Sequence, residues 1–284
     1  MDRAVASTLS GLALPSGAWF YPGGGWLAPR DYARELLARS GSRFRGGTDV
    51  ATIERHSGLW RVLDEQRQVI AEAPVLVLAN GLGANGLLAS GRGEVPWPLT
   101  AVRGQISSLA TDGHPATLPC PRLPVAGGGY VLPQTGGRLL FGATSQPDDI
   151  DPALRDADHR LNLQQLAGLS GGDVEAWSSL PWQGRVGWRA VTSDRLPLIG
   201  AVPDLEALDR TSRADQPRFV PRQRDARGGL YVFTGLGSRG ITWAALGGQL
   251  LASWISGAPC PLEADLRDAL DPARYALPRW RSDS

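Results

Sequence analysis

The residues with the strongest claim to chemistry are glycines. The pattern G-x-G-x-x-G occurs twice, at Gly81, Gly83 and Gly86 in GLGANG and at Gly235, Gly237 and Gly240 in GLGSRG, each directly after an apolar stretch that reads as a strand. In a dinucleotide fold such glycines let backbone N–H groups and the positive end of the next helix approach a pyrophosphate, and a second parallel strand then ends in an acid for a ribose. Neither copy meets the whole requirement. After Gly86 the stretch LLASGRGEVPWP is expected to be too short and too broken for a crossover helix. After Gly240 a good helix is expected to about Ser256, but it leads into GAPCPLEADLRDALDP, where Glu263 stands at a suitable distance with no apolar strand before it. The glycines therefore read as turns at which backbone packs closely on something.

Other candidates are fewer. Arg189 lies five residues before Asp194 in RAVTSD; a guanidinium fork there suits a substrate carboxylate or a structural pair with Asp194. His56, His114 and His159 are scattered, with no metal spacing and no Ser or Cys partner for hydrolysis, and are expected at the surface. Trp26 and Trp243 flank glycine segments and are candidates for pocket lining or for packing. The interval 203–228 has little apolar pattern and carries Arg210, Arg213, Arg218, Arg222, Arg224 and Arg227 with Asp215 and Asp225. It reads as a long surface loop, either a solvated insertion or a contact for RNA phosphates.

The bulk numbers describe an ordinary globular chain of 284 residues with a formal net charge of +1, which excludes a disordered or strongly basic protein. All 29 basic residues are Arg, as expected of a GC-rich coding sequence. Cys120 and Cys260 sit beside prolines without metal or disulfide spacing, and a reducing cytoplasm is expected. No run approaches the roughly 18 apolar residues of a membrane span, and no leader sequence is recognisable.

The elements that must position these residues are an interrupted α/β pattern. Residues 1–28 show no helical period and read as loop or short edge strands; a helix follows from Pro29 to just before Gly41, with Tyr32, Leu36 and Leu37 on its apolar side. LWRVL, QVIAEA and VLVLAN predict a small meander ending in one fully buried strand at Asn80. From Pro96 onward, RGQISSLA, GGYVLP and RLLFGAT alternate with period two between glycine and proline turns, and DADHRLNLQQLAGL predicts a helix. The final strand, turn and helix return to α/β texture.

In order along the chain, VLVLANG, AVRGQISSL, GGGYVLPQTGGRLLFGAT, GRVGWRAVTSDRLPLIG and GLYVFTGLGSRGITWAALGGQLLASWISG resemble the D-amino-acid-oxidase-like FAD-dependent oxidoreductases. GAWFYPGGGWLAPRDYARELLA and GLGSRGITWAALGGQLLA resemble the branch that acts on a modified wobble uridine of tRNA. The resemblance implies a mixed α/β fold: a Rossmann-like FAD domain lacking its first βαβ unit, interrupted by a sheet-rich substrate domain. Residues 1–28 would enter the substrate domain, 29–95 and 185–284 would build the FAD domain with 203–228 as a surface loop, and 96–184 would form the substrate domain. The family's opening strand, glycine loop and ribose acid have no counterpart here, so the resemblance implies an amino-terminally truncated chain whose missing part another chain could supply.

It also implies roles. Asn80 and Gly81 end a strand beside the flavin, while Gly235, Leu236, Gly237, Ser238, Arg239, Gly240 and Ile241 wrap it and help cover its reactive face. Arg189 grips a substrate carboxylate, Tyr130 offers a hydroxyl on the substrate side, and Arg239 contacts substrate or favours the reduced flavin. The implied activity is FAD-dependent removal of the carboxymethyl group from an amine on a tRNA wobble uridine. A free glycine or sarcosine oxidase and a catalytically silent remnant are the alternatives.

Overall fold

The computed structural model describes residues 1–92, 97–110, 118–205, 207, 216–222, 224–225 and 228–277. In chain order they form α1 (Arg3–Ser10), α2 (Pro29–Ser40), β1 (Thr52–His56), β2 (Leu59–Leu63), β3 (Val69–Ala73), β4 (Val75–Leu78) and α3 (Gly83–Arg92). Next come β5 (Leu99–Ala110), β6 (Val125–Ala126), β7 (Tyr130–Thr135), β8 (Arg138–Gly142), β9 (Gln146–Pro147), α4 (Asp156–Ser170), α5 (Val174–Ser178) and β10 (Gln183–Thr192). The last stretch holds β11 (Leu198–Ala201), a 3₁₀ turn Pro217–Phe219, β12 (Arg224–Asp225), β13 (Gly228–Thr234), α6 (Gly240–Ser256), α7 (Ala264–Leu270) and a second 3₁₀ turn Pro272–Ala276. These group into two discontinuous units, Met1–Gly41 with Val102–Trp188 and Ser42–Ala101 with Arg189–Ser284. The helix at 29–40, expected with residues 29–95, groups with the first unit.

The first unit is built on the sheet β10-β5-β8-β7-β6, with β9 on β5. Gly136 and Gly137, at φ +60° and +69°, make the tight turn between β7 and β8. One sheet face buries Leu109, Val131, Leu139 and Phe141 against Leu163 and Leu166 of α4, Trp177 of α5 and Ala6 of α1. Helix α1 corrects the expectation that residues 1–28 hold no helix. Asp2 caps it by accepting from Val5 N–H, Gly11 ends it at φ +74°, and its inward residues Ala6 and Ser10 are too small to print an apolar period. Helix α2 runs from Pro29 to Ser40 and stops before Gly41 as expected, yet none of its residues is buried.

The inward face of β5 is polar before it reaches Leu109. Arg103, Gln105 and Ser107 are buried there against Asp158, His159 and Asn162 of α4. His159, expected at the surface, is thus an interior residue. Asn162 Nδ2 donates to Ser107 Oγ at 3.0 Å, which leaves the Ser107 hydroxyl to face His159 Nδ1 at 2.8 Å, and burial pushes the imidazole pKa down.

In the second unit β1, β2 and β3 form an antiparallel meander. The expected fourth member departs from it: β4 lies parallel to β13, from Val75↔Gly229 to Leu78↔Val232, and only Leu78 of β4 is buried. β11 flanks β13 antiparallel on the other side. The stretch after Gly86, expected to be too short and too broken for a crossover helix, is helical to Arg92 as part of the ten-residue α3, so Gly83 and Gly86 are helical residues. Within the expected loop 203–228, the described stretch 216–222 is tied to the rest of the unit. Val202 and Val220 are buried, Arg222 pairs with Asp271, and Arg218 pairs with Asp268. Arg210, Arg213, Arg227, Asp215 and His114 lie outside the described residues, as do the side chains of Arg224 and Asp225.

Helix α6 lies against the β11 and β13 sheet through a glycine. A Cβ at Gly247 would stand 2.7 Å from Phe233 Cζ and 2.9 Å from Ile199 Cδ1, whereas Gly248 faces open space. Gly247→Val is expected to lose about 1–3 kcal/mol in urea melts, because overpacking outweighs the gain in helix propensity. Gly248→Ala should gain up to about 1 kcal/mol; equal effects at the two positions would contradict this packing.

Candidate functional site

The two glycine turns meet. Strands β4 and β13 are parallel neighbours, so their carboxyl ends lie side by side, and such ends are where open α/β sheets place ligands. β4 runs into Asn80 and Gly81; β13 runs into Gly235–Gly240 and then α6. Thr234 Oγ1 donates to Gly81 O at 2.9 Å and ties one turn to the other. Gly81, Gly235 and Gly237 have φ of +62°, +70° and +55°, the left-handed region in which a side chain is costly. At Gly235 space also runs out, since a Cβ would be 3.0 Å from Thr192 Cγ2.

The second turn is anchored to the end of β10. Gly237 N–H donates to Ala190 O at 2.9 Å, and Leu236 bridges Val191. This places Arg189, half-buried, one residue from the backbone acceptor of the turn. Ser238, Arg239 and Ile241 are exposed, and one Arg239 Nη2 hydrogen is used on Arg195 O at 3.0 Å. The N–H groups of Gly240, Ile241 and Thr242, at the start of the 17-residue α6, have no acceptor among the described residues. With Arg239 beside them and no acid in 78–84 or 234–242, these donors suit an anionic or carbonyl-rich group. Gly81 adds a backbone surface with no heavy atom within 4 Å of a Cβ placed there.

Arg189 admits two readings from its spacing, a substrate ligand or the partner of Asp194. Asp194 is taken by Arg274, whose Nε and Nη2 reach its two carboxylate oxygens at 2.7 and 3.1 Å. Burial alone would raise the Asp194 pKa, but the Arg274 fork and the Leu196 N–H outweigh it and hold the carboxyl below its ordinary value. Asp194 is thus clamped by Arg274. Sequence reasoning misses Arg274 and Thr234; Thr234 directly precedes GLGSRG, whereas nothing in the spacing of Arg274 marks it.

Tyr130 belongs to the first unit. It sits on the sheet face opposite the buried Val131, in a row with Gly142 and Ile106. Trp26 of the same unit is about half exposed, while Trp243 packs against the core under α6. Among the described residues no cluster of His, Cys, Asp or Glu could hold a metal, and no helix is long and apolar enough to cross a membrane.

A mixed α/β chain whose parallel strands β4 and β13 end in paired glycine turns has the fold of the FAD-dependent oxidoreductases. The chain belongs to the FAD dependent oxidoreductase (DAO) family, whose model matches residues 1–254. It is 99% identical over 284 residues, all of this chain and 44% of the relative, to the tRNA 5-methylaminomethyl-2-thiouridine biosynthesis bifunctional protein MnmC of Methylibium petroleiphilum. The protein of the same description from Ralstonia nicotianae is 40% identical over 292 residues, 98% of this chain and 42% of its own. The chain thus spans less than half the length of the curated relatives it matches. Among solved structures, glycine oxidase from Geobacillus kaustophilus superposes with a TM-score of 0.70 at 25% identity over 94% of this chain and 65% of that one. L-proline dehydrogenase from P. horikoshii shares the fold with a TM-score of 0.60 at 15% identity, over 87% of this chain and 59% of that one.

Proposed function

We propose that the chain carries out the oxidoreductase step of wobble-uridine modification in tRNA, removing the carboxymethyl group from 5-carboxymethylaminomethyl(-2-thio)uridine with FAD. The observation that carries it is the pairing of Asn80–Gly81 with Gly235–Ile241 at the ends of parallel strands, with Arg189 one residue from Ala190 O. The match to the two tRNA 5-methylaminomethyl-2-thiouridine biosynthesis proteins supports the substrate class. Bound FAD would supply a hydride acceptor for the carboxymethyl CH2 next to the substrate amine, and hydrolysis of the resulting imine by water would release glyoxylate and the free aminomethyl uridine.

The chain's own residues hold and orient. Gly81, Gly235 and Gly237 let backbone approach the cofactor, and the N–H groups at 240–242 with Arg239 take its polar edge. Arg189 takes the substrate carboxylate as a bidentate cation, and Tyr130 offers its hydroxyl to substrate. Cys120 and Cys260, exposed and outside any disulfide, suit a reducing, cytoplasmic setting.

A second reading rests on the edge of β4. Among the described residues β4 pairs only with β13, its Val75, Leu76 and Val77 are half-exposed, and Leu36 and Leu37 of α2 are exposed. Among the described residues neither glycine turn is followed by both a helix and a second parallel strand. The β4 edge suits a strand from a partner segment; the remaining alternative is a catalytically silent remnant.

A visible spectrum of the purified chain tests the proposal. Flavin bands near one per chain, bleached anaerobically by carboxymethylaminomethyl tRNA but not by glycine, are expected. Bleaching by free glycine would make it a small-amine oxidase, and absence of flavin would favour the remnant. Arg189→Gln should raise the tRNA concentration for half-bleaching by about 10–100-fold, the loss of a charged hydrogen-bond pair worth about 1.5–3 kcal/mol.

A further inference from the structure

In the first unit the sheet face opposite α4 carries two arginines that no carboxylate neutralises among the described residues. Arg138, on β8, spends both Nη2 hydrogens on neutral acceptors, Ser108 Oγ at 3.0 Å and Gln183 Oε1 at 2.7 Å. Its Nε and Nη1 hydrogens have no acceptor among the described residues. The bond to Gln183 places that side chain on the same open face, while Gly184 lies on the other, where a Cβ would be 2.9 Å from His159 Cε1. By strand alternation Arg185 returns to the face of Gln183, and it is exposed with no ion pair or hydrogen bond among the described residues.

Elsewhere in the unit the arginines divide into paired ones and, like Arg160 on α4, exposed ones with no ion pair among the described residues. Arg103, on the inward face, is given Asp158, and Arg155 is given Asp149 and Asp151. On the open face the fork of Arg138 is held by two neutral side chains, so its position is fixed and its charge is kept. That is the preparation expected for an external anion.

The same face carries Tyr130, whose row is Tyr130↔Gly142↔Ile106. Arg138 is four residues from Gly142 along β8, about 14 Å at the usual rise per residue. A nucleotide with an extended side arm at its base can span from Tyr130 to an anion at Arg138. We infer that Arg138 and Arg185 form a phosphodiester subsite for the RNA strand that carries the substrate nucleoside. The inference rests on the tRNA reading above and adds to it where the backbone is held.

The test is fluorescence-anisotropy titration of the full chain with a labelled anticodon stem-loop RNA at several salt concentrations. Arg185→Gln is expected to weaken binding about 3–10-fold near physiological salt and to lower the slope of log K against log salt by about 0.7–0.9, one phosphate contact. Arg185→Lys should keep most of both, and Arg160→Gln, exposed on α4, should change neither. Arg138→Gln should add a second loss of the same size; because Arg138 also links β8 to β10, its fold is checked by circular dichroism, and the exposed Arg185 variant decides between the outcomes. RNA binding by Arg185→Gln equal to wild type overturns the subsite and leaves the tRNA reading standing. Absence of RNA binding by the wild-type chain overturns both.

Discussion

Arg274→Met is expected to cost the second unit about 3–5 kcal/mol at neutral pH, the range for stranding one partner of a buried ion pair. Arg274 is 1% exposed, and its guanidinium makes five bonds: two to Asp194, and one each to the carbonyls of Leu196, Pro197 and Asp271. It also lies 4.6 Å from the Tyr275 ring. Methionine fills much of the volume but meets none of these acceptors, so the Asp194 carboxylate and three carbonyls lose their partner together. The sign of the pH dependence follows from Asp194. Its folded pKa is depressed, so its contribution is present above the unfolded value near 3.8 and is lost as pH falls through the folded pKa. In Arg274→Met the depression vanishes and burial raises the pKa instead, so the variant's deficit should shrink on acidification toward the carboxylate range. Adding Asp194→Asn should recover part of the loss at pH 7. Urea melts at pH 7 and near pH 4 check both statements; a loss below about 1 kcal/mol would contradict the clamp.

The same substitution reaches the glycine turn. Thr192 Oγ1 donates to Leu196 O at 2.7 Å, and Thr192 Cγ2 supports Gly235. Hydrogen exchange at Gly235–Gly240 should therefore speed up in Arg274→Met before the unit unfolds as a whole.

Arg103→Met should have an effect of similar size in the first unit, about 3–5 kcal/mol. Arg103 and Asp158 are both buried, with Nη1 2.6 Å from Oδ2, and Arg103 further donates to Gln146 Oε1 at 2.8 Å and Asp151 O at 2.7 Å. It thus ties β5 to α4 and to the 146–153 segment. Lysine cannot reproduce this fork, so Arg103→Lys should lose most of the same stability. The double variant Arg103→Met with Asp158→Leu should recover much of it, because both charges are then gone. A double-mutant cycle in which the two losses simply add would show that the pair is not coupled.

What is legible in the chain follows from how locally each feature is encoded. GLGSRG and the strand before it announce themselves, because a left-handed turn demands glycine at particular places and the helix begins at once. The period-two runs of β7 and β8 are legible for the same reason. β5 is a harder case: RGQISSLA alternates, yet the face it buries is Arg103, Gln105 and Ser107, since Asp158 and Asn162 meet them from α4 more than fifty residues on. His159 and Arg222 are misplaced by the same rule that polar means outside, which fails wherever a distant acid or hydroxyl supplies the partner. Asp194 lies beside Arg189 in sequence but pairs with Arg274, and no spacing rule reaches across 80 residues. The short α1 escapes notice because its buried side is Ala6 and Ser10. At the site, backbone turns are readable, and the side chains that brace them are not.

The parallel contact of β4 with β13 joins stretches separated by the whole of residues 102–188, and this sets an order of events in folding. Gly184 stands beside Ile106 on neighbouring strands, so the chain enters and leaves the inserted unit side by side. Once that unit has formed, the path between Leu78 and Val232 is shortened to residues 79–101 and 189–231. The entropy saved is small, about 0.6 kcal/mol for each halving of a loop. The kinetic effect is larger, since distant strand pairing is the slow part of such folds. The inserted unit is thus a scaffold for assembly, and lesions in it, such as at Arg103, should delay closure of the glycine turns.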